Sequence, residues 1–223
     1  QFDQAESYFR KVVNKRGDYA GKADSKWKLS QKIVRAMPGT PIGKKVALKE
    51  RINRADLAVL FAEELKIGVL FDRMPAAQNT GFQTPGQAAQ TAILAVPNDS
   101  KGHWAETWIK DMLRYGIMNI EPDGNFYPDD NINRATYAMA VQRLLVVATR
   151  DESLETRYFG EAQSRFSDVP SSHFAYNAMA LCAERGIMQA DVMTGRFDPT
   201  GDVTGADALL IIRTLQTSLR MTF

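Results

Sequence analysis

Residues 103–145, HWAETWIKDMLRYGIMNIEPDGNFYPDDNINRATYAMAVQRLL, are echoed by residues 173–215, HFAYNAMALCAERGIMQADVMTGRFDPTGDVTGADALLIIRTL. In both stretches an aromatic residue precedes a Gly-Ile-Met tripeptide by twelve positions, and a phenylalanine precedes the apolar residue before the second helix by six. Self-similarity of this kind is the sequence pattern of proteins built from stacked repeats. We therefore predict that the two stretches fold alike and pack together.

A third and weaker copy lies upstream. Trp27 precedes Gly39 by twelve positions, and Val46 precedes Ile52 by six. The segment between Gly39 and Val46 is short and lacks the Asp-Gly turn of the second copy. We interpret this copy as a degenerate first repeat.

Each repeat is predicted to contain a helix, a structured loop and a second helix. Apolar residues recur at helical spacing before Gly116 and Gly186, and glycines and prolines interrupt the middle of each copy. Asn53, Asn133 and Thr204 are suited to cap the second helices. The inward faces of those helices are predicted to be formed by Leu57, Leu60 and Phe61, by Tyr137, Val141 and Leu144, and by Leu209, Ile212 and Leu215. Because one hairpin cannot bury its apolar face alone, we predict a mainly α fold of three helix-loop-helix repeats packed as a pseudo-threefold helical bundle with projecting loops.

The predicted organisation places an N-terminal helix in residues 1–22, with a pattern similar to half of a tetratricopeptide hairpin. The remaining segments are repeat 1 at 23–66, an insertion at 67–97 with short structure expected in 88–96, repeat 2 at 98–150, a linker at 151–165 and repeat 3 at 166–223.

The composition argues against several classes of function. The 223 residues include 28 basic and 26 acidic side chains, so the chain lacks the excess positive charge expected for nucleic-acid binding. One cysteine and two histidines argue against a disulfide framework, a multi-cysteine zinc site and many kinds of catalysis. No apolar run is long enough to span a bilayer and no signal sequence opens the chain, so we expect a soluble, mature form.

The motifs of the second copy resemble those of S-layer homology domains. The family pattern has an early Asp, a His-Trp pair, Gly-Ile, an Asp-Gly-x-Phe-x-Pro loop and an Ile-Thr-Arg-Ala-Glu helix start. Here the corresponding residues are His103-Trp104, Gly116-Ile117, Asp123-Gly124-Asn125-Phe126-Tyr127-Pro128 and Ile132-Asn133-Arg134-Ala135-Thr136, and Phe166-Ser167-Asp168 opens the next copy. The resemblance covers about two thirds of the chain, with the weak copy included.

The resemblance implies a non-catalytic, extracytoplasmic module without cofactor or metal that anchors a protein to the cell envelope. Such domains bind peptidoglycan-linked, often pyruvylated, polysaccharide in grooves between repeats, and other envelope proteins are a further class of partner. Carried over by position, the carbohydrate-binding residues are Arg54, Arg134, Trp27, Trp104, Asp168, Gly116 and Gly186.

The arginines also have a physical argument of their own. Arg54 and Arg134 fall in the first turn of a helix, where a positive charge is unfavourable against the helix dipole. A guanidinium beside free backbone N–H groups would suit a carboxylate such as that of a pyruvyl ketal. The alternative is that each arginine pairs with an acidic residue on the adjacent repeat.

The other candidate residues have structural interpretations. Trp27, Trp104 and Phe174 are expected to belong to the core more often than to a sugar site, and the glycines to satisfy chain geometry first. His103 and His173 occupy equivalent positions, which favours a structural or capping function over a metal site, and Cys182 is expected to be an inert core thiol.

Two departures from the family pattern limit the number of sites. Gly205 stands where repeat 3 should have its arginine, and Asn98 is interpreted as standing where repeat 2 should have its aspartate. We therefore expect at most two competent grooves, with Arg196 as a partial substitute near the third.

The sequence is also compatible with two other functions. The chain could be a protein-interaction scaffold whose repeats have lost carbohydrate binding, which the missing arginine favours. It could also be an enzyme acting on wall polymers through acids such as Asp123, Asp129 and Asp130, although these acids lie in a turn-rich loop and lack the spacing of an EF-hand calcium site.

Overall fold

A computed structural model describes residues 2–72 and 96–220, and within them the chain forms nine α-helices and no strand. The helices are α1 (Phe2–Asn14), α2 (Ala20–Ala36), α3 (Pro41–Val46), α4 (Arg54–Glu63), α5 (Ile67–Asp72), α6 (Glu106–Arg114), α7 (Arg134–Thr149), α8 (Tyr176–Glu184) and α9 (Gly205–Arg220), with short 3₁₀ turns at Asn98–Ser100 and Glu152–Glu155. The prediction of a mainly α fold is confirmed. The short structure predicted at 88–96 lies almost entirely outside the described residues.

The second helix of each repeat begins at the predicted capping residue. The Asn53 side chain accepts a hydrogen bond from the Asp56 N–H at 2.8 Å, and the Asp56 carboxylate accepts one from the Asn53 N–H at 3.1 Å, which completes a capping box. Asn133 caps α7 through its side chain, and the Thr204 hydroxyl accepts from the Asp207 N–H at 3.1 Å. These caps satisfy backbone donors that would otherwise be left unpaired.

The second helices supply the centre of the core. All nine residues predicted to face inward are buried. The rings of Phe61 on α4 and Tyr137 on α7 meet edge to face with centroids 6.1 Å apart, and the Tyr137 hydroxyl donates to the Ala208 carbonyl of α9 at 3.0 Å. Cys182 is fully buried as predicted, and burial raises the pKa of its thiol to about 12.

The buried hydroxyl of Tyr137 gives a first test of this packing. Tyr137→Phe keeps the ring and removes the hydrogen bond to α9, so we expect the free energy of unfolding to fall by about 1 kcal/mol. Urea denaturation followed by circular dichroism measures the change. Tyr8→Phe on the exposed face of α1 is the matched control and should leave the midpoint unchanged.

Backbone hydrogen bonds tie the three repeats into a closed cycle. The Ile132 N–H of repeat 2 donates to the Ile52 carbonyl of repeat 1 at 3.1 Å, and the Arg134 N–H of repeat 2 donates to the Gly201 carbonyl of repeat 3 at 3.0 Å. The Gly205 N–H donates to the Lys49 carbonyl at 2.9 Å, so repeat 3 is bonded back to repeat 1. Repeat 1 therefore contacts both of the other repeats, although it is the degenerate copy. The pseudo-threefold arrangement of the helices stays a prediction.

The helix packing follows the same cyclic order. The second helix of each repeat packs against the first helix of the next, with α4 on α6, α7 on α8 and α9 on α2. The N-terminal helix α1 packs on α2, where the Trp27 indole N–H donates to the Glu6 carboxylate at 2.9 Å. Each junction between repeats is therefore built from a helix start, a loop and a neighbouring helix.

Repeat 1 differs in register from the sequence alignment. Gly116 and Gly186 end their helices in the left-handed region, with φ of 66° in both. In repeat 1 the corresponding left-handed residue is Met37 (φ 45°), whereas Gly39 is not in this region. The alignment of Gly39 with the other two glycines was therefore wrong by two positions, and Trp27 is not the structural equivalent of Trp104.

The expectation that the opening aromatics belong to the core was wrong: Trp27 is half-buried and lies outside the core cluster, and the other two rings are exposed. Trp104 is 50% exposed and Phe174 is 76% exposed. Trp104 rests against Trp108, with ring centroids 6.1 Å apart, and Phe174 stacks on His173 at 4.5 Å. These rings stay at the surface because the helix that follows each of them, rather than the ring itself, faces the core.

Candidate functional site

Arg54 and Arg134 occupy equivalent positions at the starts of α4 and α7, and each reaches across to the loop of the next repeat. The guanidinium carbon of Arg54 lies 4.7 Å from the ring centroid of Phe126, and that of Arg134 lies 4.7 Å from the centroid of Phe197. Burial lowers the pKa of both guanidinium groups. Both remain charged at neutral pH because arginine holds its proton strongly.

Arg54 is neutralised by a carboxylate. Its Nη2 donates to the Asn119 carbonyl at 2.8 Å, and its Nη1 donates to the Glu121 carboxylate of repeat 2 at 3.2 Å. Its Nε is buried without a hydrogen-bond partner. For this arginine, the alternative of an ion pair with the adjacent repeat is confirmed.

Arg134 is held differently. Its Nε donates to the Phe197 carbonyl at 2.7 Å, and its Nη2 donates to the Gln189 carbonyl at 2.9 Å. Among the described residues, Nη1 donates to no acceptor and no carboxylate lies at ion-pair distance from the guanidinium. Neutral carbonyl oxygens therefore fix the position of a cation whose charge is not cancelled by a direct contact.

Three acids act electrostatically on Arg134, and two of them contact other cations. Asp207 lies 2.8 Å from Lys32, and Asp168 lies 3.6 Å from Arg196. Asp198 has the largest electrostatic effect of the three and raises the pKa of the Arg134 guanidinium without forming an ion pair with it. Arg196 thus forms an ion pair with Asp168 in the loop of repeat 3 and does not replace the missing arginine of that repeat.

The helix starts do not offer free backbone donors. The N–H groups of Arg134 and Ala135 donate to the carbonyls of Gly201 and Pro199 at 3.0 and 2.9 Å, and the equivalent groups in repeat 1 bond to repeat 2 in the same way. The expectation of free N–H groups beside each guanidinium was therefore wrong. They are used for the cyclic contact between repeats, so the side chain alone can bind an anion.

Asp168 holds the loop on which Arg134 rests. Its carboxylate accepts hydrogen bonds from the N–H groups of Phe197 and Asp198 at 2.9 and 2.8 Å. Asp99 makes the same pair of bonds to the loop of repeat 2. The assignment of Asn98 to this position was wrong, because repeat 2 has one residue fewer between its aspartate and its histidine. Asp168 therefore acts by shaping the loop.

The Asp168 carboxylate should make stability depend on pH. Burial raises its pKa, but the two backbone hydrogen bonds outweigh burial, so the pKa lies below the ordinary 3.8. A depressed pKa means that the ionised form stabilises the fold above that value and that this contribution is lost as the pH falls through the folded-state pKa. We expect the stability difference between wild type and Asp168→Asn to be constant from pH 7 to 5 and to shrink below about pH 4, as measured by urea denaturation.

Gly116 and Gly186 have a conformational function. Their positive φ ends α6 and α8, a conformation that residues with a Cβ seldom adopt. The Gly116 carbonyl accepts a hydrogen bond from Arg143 Nε at 2.8 Å. The residues that follow Gly116, including Met118, line a groove, whereas the glycine itself does not.

Gly205 shows why repeat 3 has no arginine. A Cβ built at this position would lie 1.7 Å from the Val46 carbonyl oxygen and 3.2 Å from the Ala47 Cα. The start of α9 therefore lies directly against the backbone of repeat 1, where Arg54 and Arg134 have room for a side chain. The third junction is closed at this point.

A groove of about 540 Å³ runs beside Arg54 and combines residues from all three repeats. Its apolar lining includes Met118, Met139, Phe159 and Phe174. Sequence reasoning missed Phe159, which lies in the predicted linker 151–165 and is 60% exposed. It also missed Glu121, the ion-pair partner of Arg54.

Two segments of the chain match the profile of a known protein family. Residues 98–138 and 165–209 match the profile of the S-layer homology domain. These two segments are S-layer homology domains. The matched segments contain Arg134, Trp104 and Asp168, whereas Arg54 lies outside them.

Similar proteins are surface and wall proteins of bacteria. The chain is 29% identical to an uncharacterized cell wall amidase of Bacillus anthracis over 181 residues. These residues make up 81% of this chain and 28% of that protein. It is 32% identical over 90 residues to a cellulosome-anchoring protein of Acetivibrio thermocellus, covering 40% of this chain and 18% of that protein. It is 28% identical over 138 residues to the S-layer protein EA1 of B. anthracis, covering 62% of this chain and 14% of that protein. These similarities support cell-surface anchoring, and the chain spans less than a third of each relative.

Other chemistry has little support in the described part of the chain. Asp123 accepts hydrogen bonds from the Tyr127 hydroxyl and the Asn125 N–H, which lower its pKa, whereas a general acid needs a raised one. Nδ1 of His103 and of His173 accepts an N–H two residues ahead at 3.1 Å, which confirms the structural function predicted for both histidines. Within 2–72 and 96–220, no cluster of metal-ligating side chains occurs and no helix is long and apolar enough to cross a membrane.

Proposed function

We propose that this chain anchors its protein to the cell envelope by binding a peptidoglycan-linked, pyruvylated polysaccharide outside the cytoplasm, with Arg134 as the anion contact. The observation that carries the proposal is the state of the Arg134 guanidinium. It is fixed by two carbonyl oxygens and a ring face, and its Nη1 has no partner among the described residues.

The geometry favours a carboxylate at this position. A guanidinium already fixed by carbonyl oxygens loses little side-chain entropy on binding, and hydrogen bonds to a charged acceptor are about twice as strong as neutral ones. Partial burial strengthens the attraction because it limits screening by water. A pyruvyl ketal presents one carboxylate on a sugar ring and would fit an arginine with one open edge.

The family match supports the same function from another direction. S-layer homology domains match two segments of the chain, and the relatives include a protein named for anchoring. A binding module needs side chains held in place and exposed aromatic rings, and the chain has both at the junctions between repeats. We therefore propose a non-enzymatic module whose target is the wall polymer.

Co-sedimentation with peptidoglycan sacculi tests the proposed function. Sacculi from the source bacterium are prepared with their attached polymer, and one half is stripped of that polymer by acid. We expect the protein to sediment with intact sacculi and to stay in the supernatant with stripped ones. Equal sedimentation with both would refute polymer binding, and absence of sedimentation with either would favour a protein-interaction scaffold.

A further inference from the structure

The two arginine junctions differ in charge. The groove beside Arg54 is lined by two arginines and two glutamates, and these form two ion pairs. Glu121 contacts Arg54 at 3.2 Å, and Glu155 contacts Arg143 at 2.6 Å. The positive and negative charges of the groove lining therefore cancel each other, whereas Arg134 has no carboxylate in direct contact among the described residues.

Glu121 also blocks the edge of Arg54 that an anion would need. Nη1 and Nη2 are engaged by Glu121 and by the Asn119 carbonyl, and Nε is buried. A ligand carboxylate would have to displace Glu121 and would then lie beside its negative charge. In repeat 3 the residue at the equivalent position is Asp191, whose carboxylate is turned into its own loop by hydrogen bonds from Met193 and Thr194. The difference between Glu121 and Asp191 thus leaves a carboxylate in contact with Arg54 and none in contact with Arg134.

The walls of the Arg54 groove suit the faces of sugar rings. Phe159 and Phe174 are 60% and 76% exposed although both are apolar. The Phe174 ring stacks on His173, and the backbone preceding Phe159 is held by the Asn177 side chain, which accepts from the Tyr158 N–H at 2.8 Å. Exposed aromatic surfaces in a concave site, with a few polar groups, are typical of small-molecule recognition.

We propose that the Arg54 groove binds an uncharged saccharide segment of the wall polymer, with Phe159 and Phe174 as its stacking surfaces and Glu121 as the residue that excludes carboxylates. This inference rests on the proposed function, since it takes the polymer as the ligand. The two junctions then bind different parts of the polymer. Arg134 contacts the charged substituent, and the Arg54 groove contacts the neutral part of the polysaccharide.

The test uses the full chain with Arg134→Ala, which removes the anion contact. The probes are an oligosaccharide released from the sacculi with its ketal intact, and the same oligosaccharide after mild acid has removed the ketal. Titration calorimetry should show that the uncharged oligosaccharide still binds to Arg134→Ala. Adding Phe159→Ala or Phe174→Ala should weaken that binding roughly three- to tenfold. Tyr19→Ala, which removes another exposed aromatic ring, is the matched control and should have no effect.

Glu121→Gln tests the charge selection. On the Arg134→Ala background it should raise affinity for the ketal-bearing oligosaccharide about fivefold and leave affinity for the uncharged one unchanged. Absence of uncharged binding in Arg134→Ala, or no gain from Glu121→Gln, would overturn the inference. The proposed function would still stand if wild type sedimented with intact sacculi, so the two failures are distinguishable.

Discussion

Gly205→Ala is expected to lower the free energy of unfolding by about 3 kcal/mol, at the upper end of the cost of overpacking a core. The added Cβ would lie 1.7 Å from the Val46 carbonyl oxygen, and the obstructing atoms belong to backbone that cannot rotate away. Either α9 or the end of α3 must move. The Gly205 N–H also bonds to the Lys49 carbonyl, so movement would loosen the contact that returns the cycle to repeat 1.

Gly21→Ala is the matched control for this substitution. Gly21 lies in the first turn of α2, and a Cβ there meets nothing within 4 Å. It should leave stability unchanged or raise it by up to about 1 kcal/mol. Urea denaturation of both variants measures the contrast. A Gly205→Ala protein as stable as wild type would show that the third junction is open. That result would contradict the conclusion that only the Arg54 and Arg134 junctions have room for a ligand.

Arg134→Ala is expected to weaken binding to the ketal-bearing polymer roughly 10- to 150-fold, the range for losing a hydrogen bond to a charged group. Arg134→Lys keeps the charge but not the planar fork, so most of the loss should remain. Arg54→Ala should cost only about twofold, because its charge is already cancelled by Glu121. Arg10→Ala removes the same charge from the exposed surface of α1 and is the control.

The parts of the fold that depend on local sequence could be predicted. The capping residues Asn53, Asn133 and Thr204 and the buried faces of the second helices follow from spacing within a few turns, and the structure confirms them. The register of repeat 1 could not be predicted, because Met37 takes the left-handed conformation that the sequence pattern assigns to a glycine.

The candidate site was harder to predict because it forms between repeats. Both arginines were found from their motif, yet nothing in the motif shows that Glu121 pairs with Arg54 while Asp191 turns away from Arg134. Phe159 was missed because it lies outside the repeats and reaches the groove only through the packing of the linker on α8. Exposed side chains at a junction depend on the relative placement of segments that are distant in sequence, which periodicity does not report.

The most direct test of the account is a cycle that pairs a protein change with a ligand change. Wild type and Arg134→Ala are each titrated with soluble wall polymer that carries its pyruvyl ketals and with the same polymer after the ketals are removed. If Arg134 binds the carboxylate, the substitution should cost about tenfold or more on the charged polymer and less than about twofold on the uncharged one. An equal loss of affinity on both polymers would contradict the account, because the effect of Arg134 would then not depend on the anion.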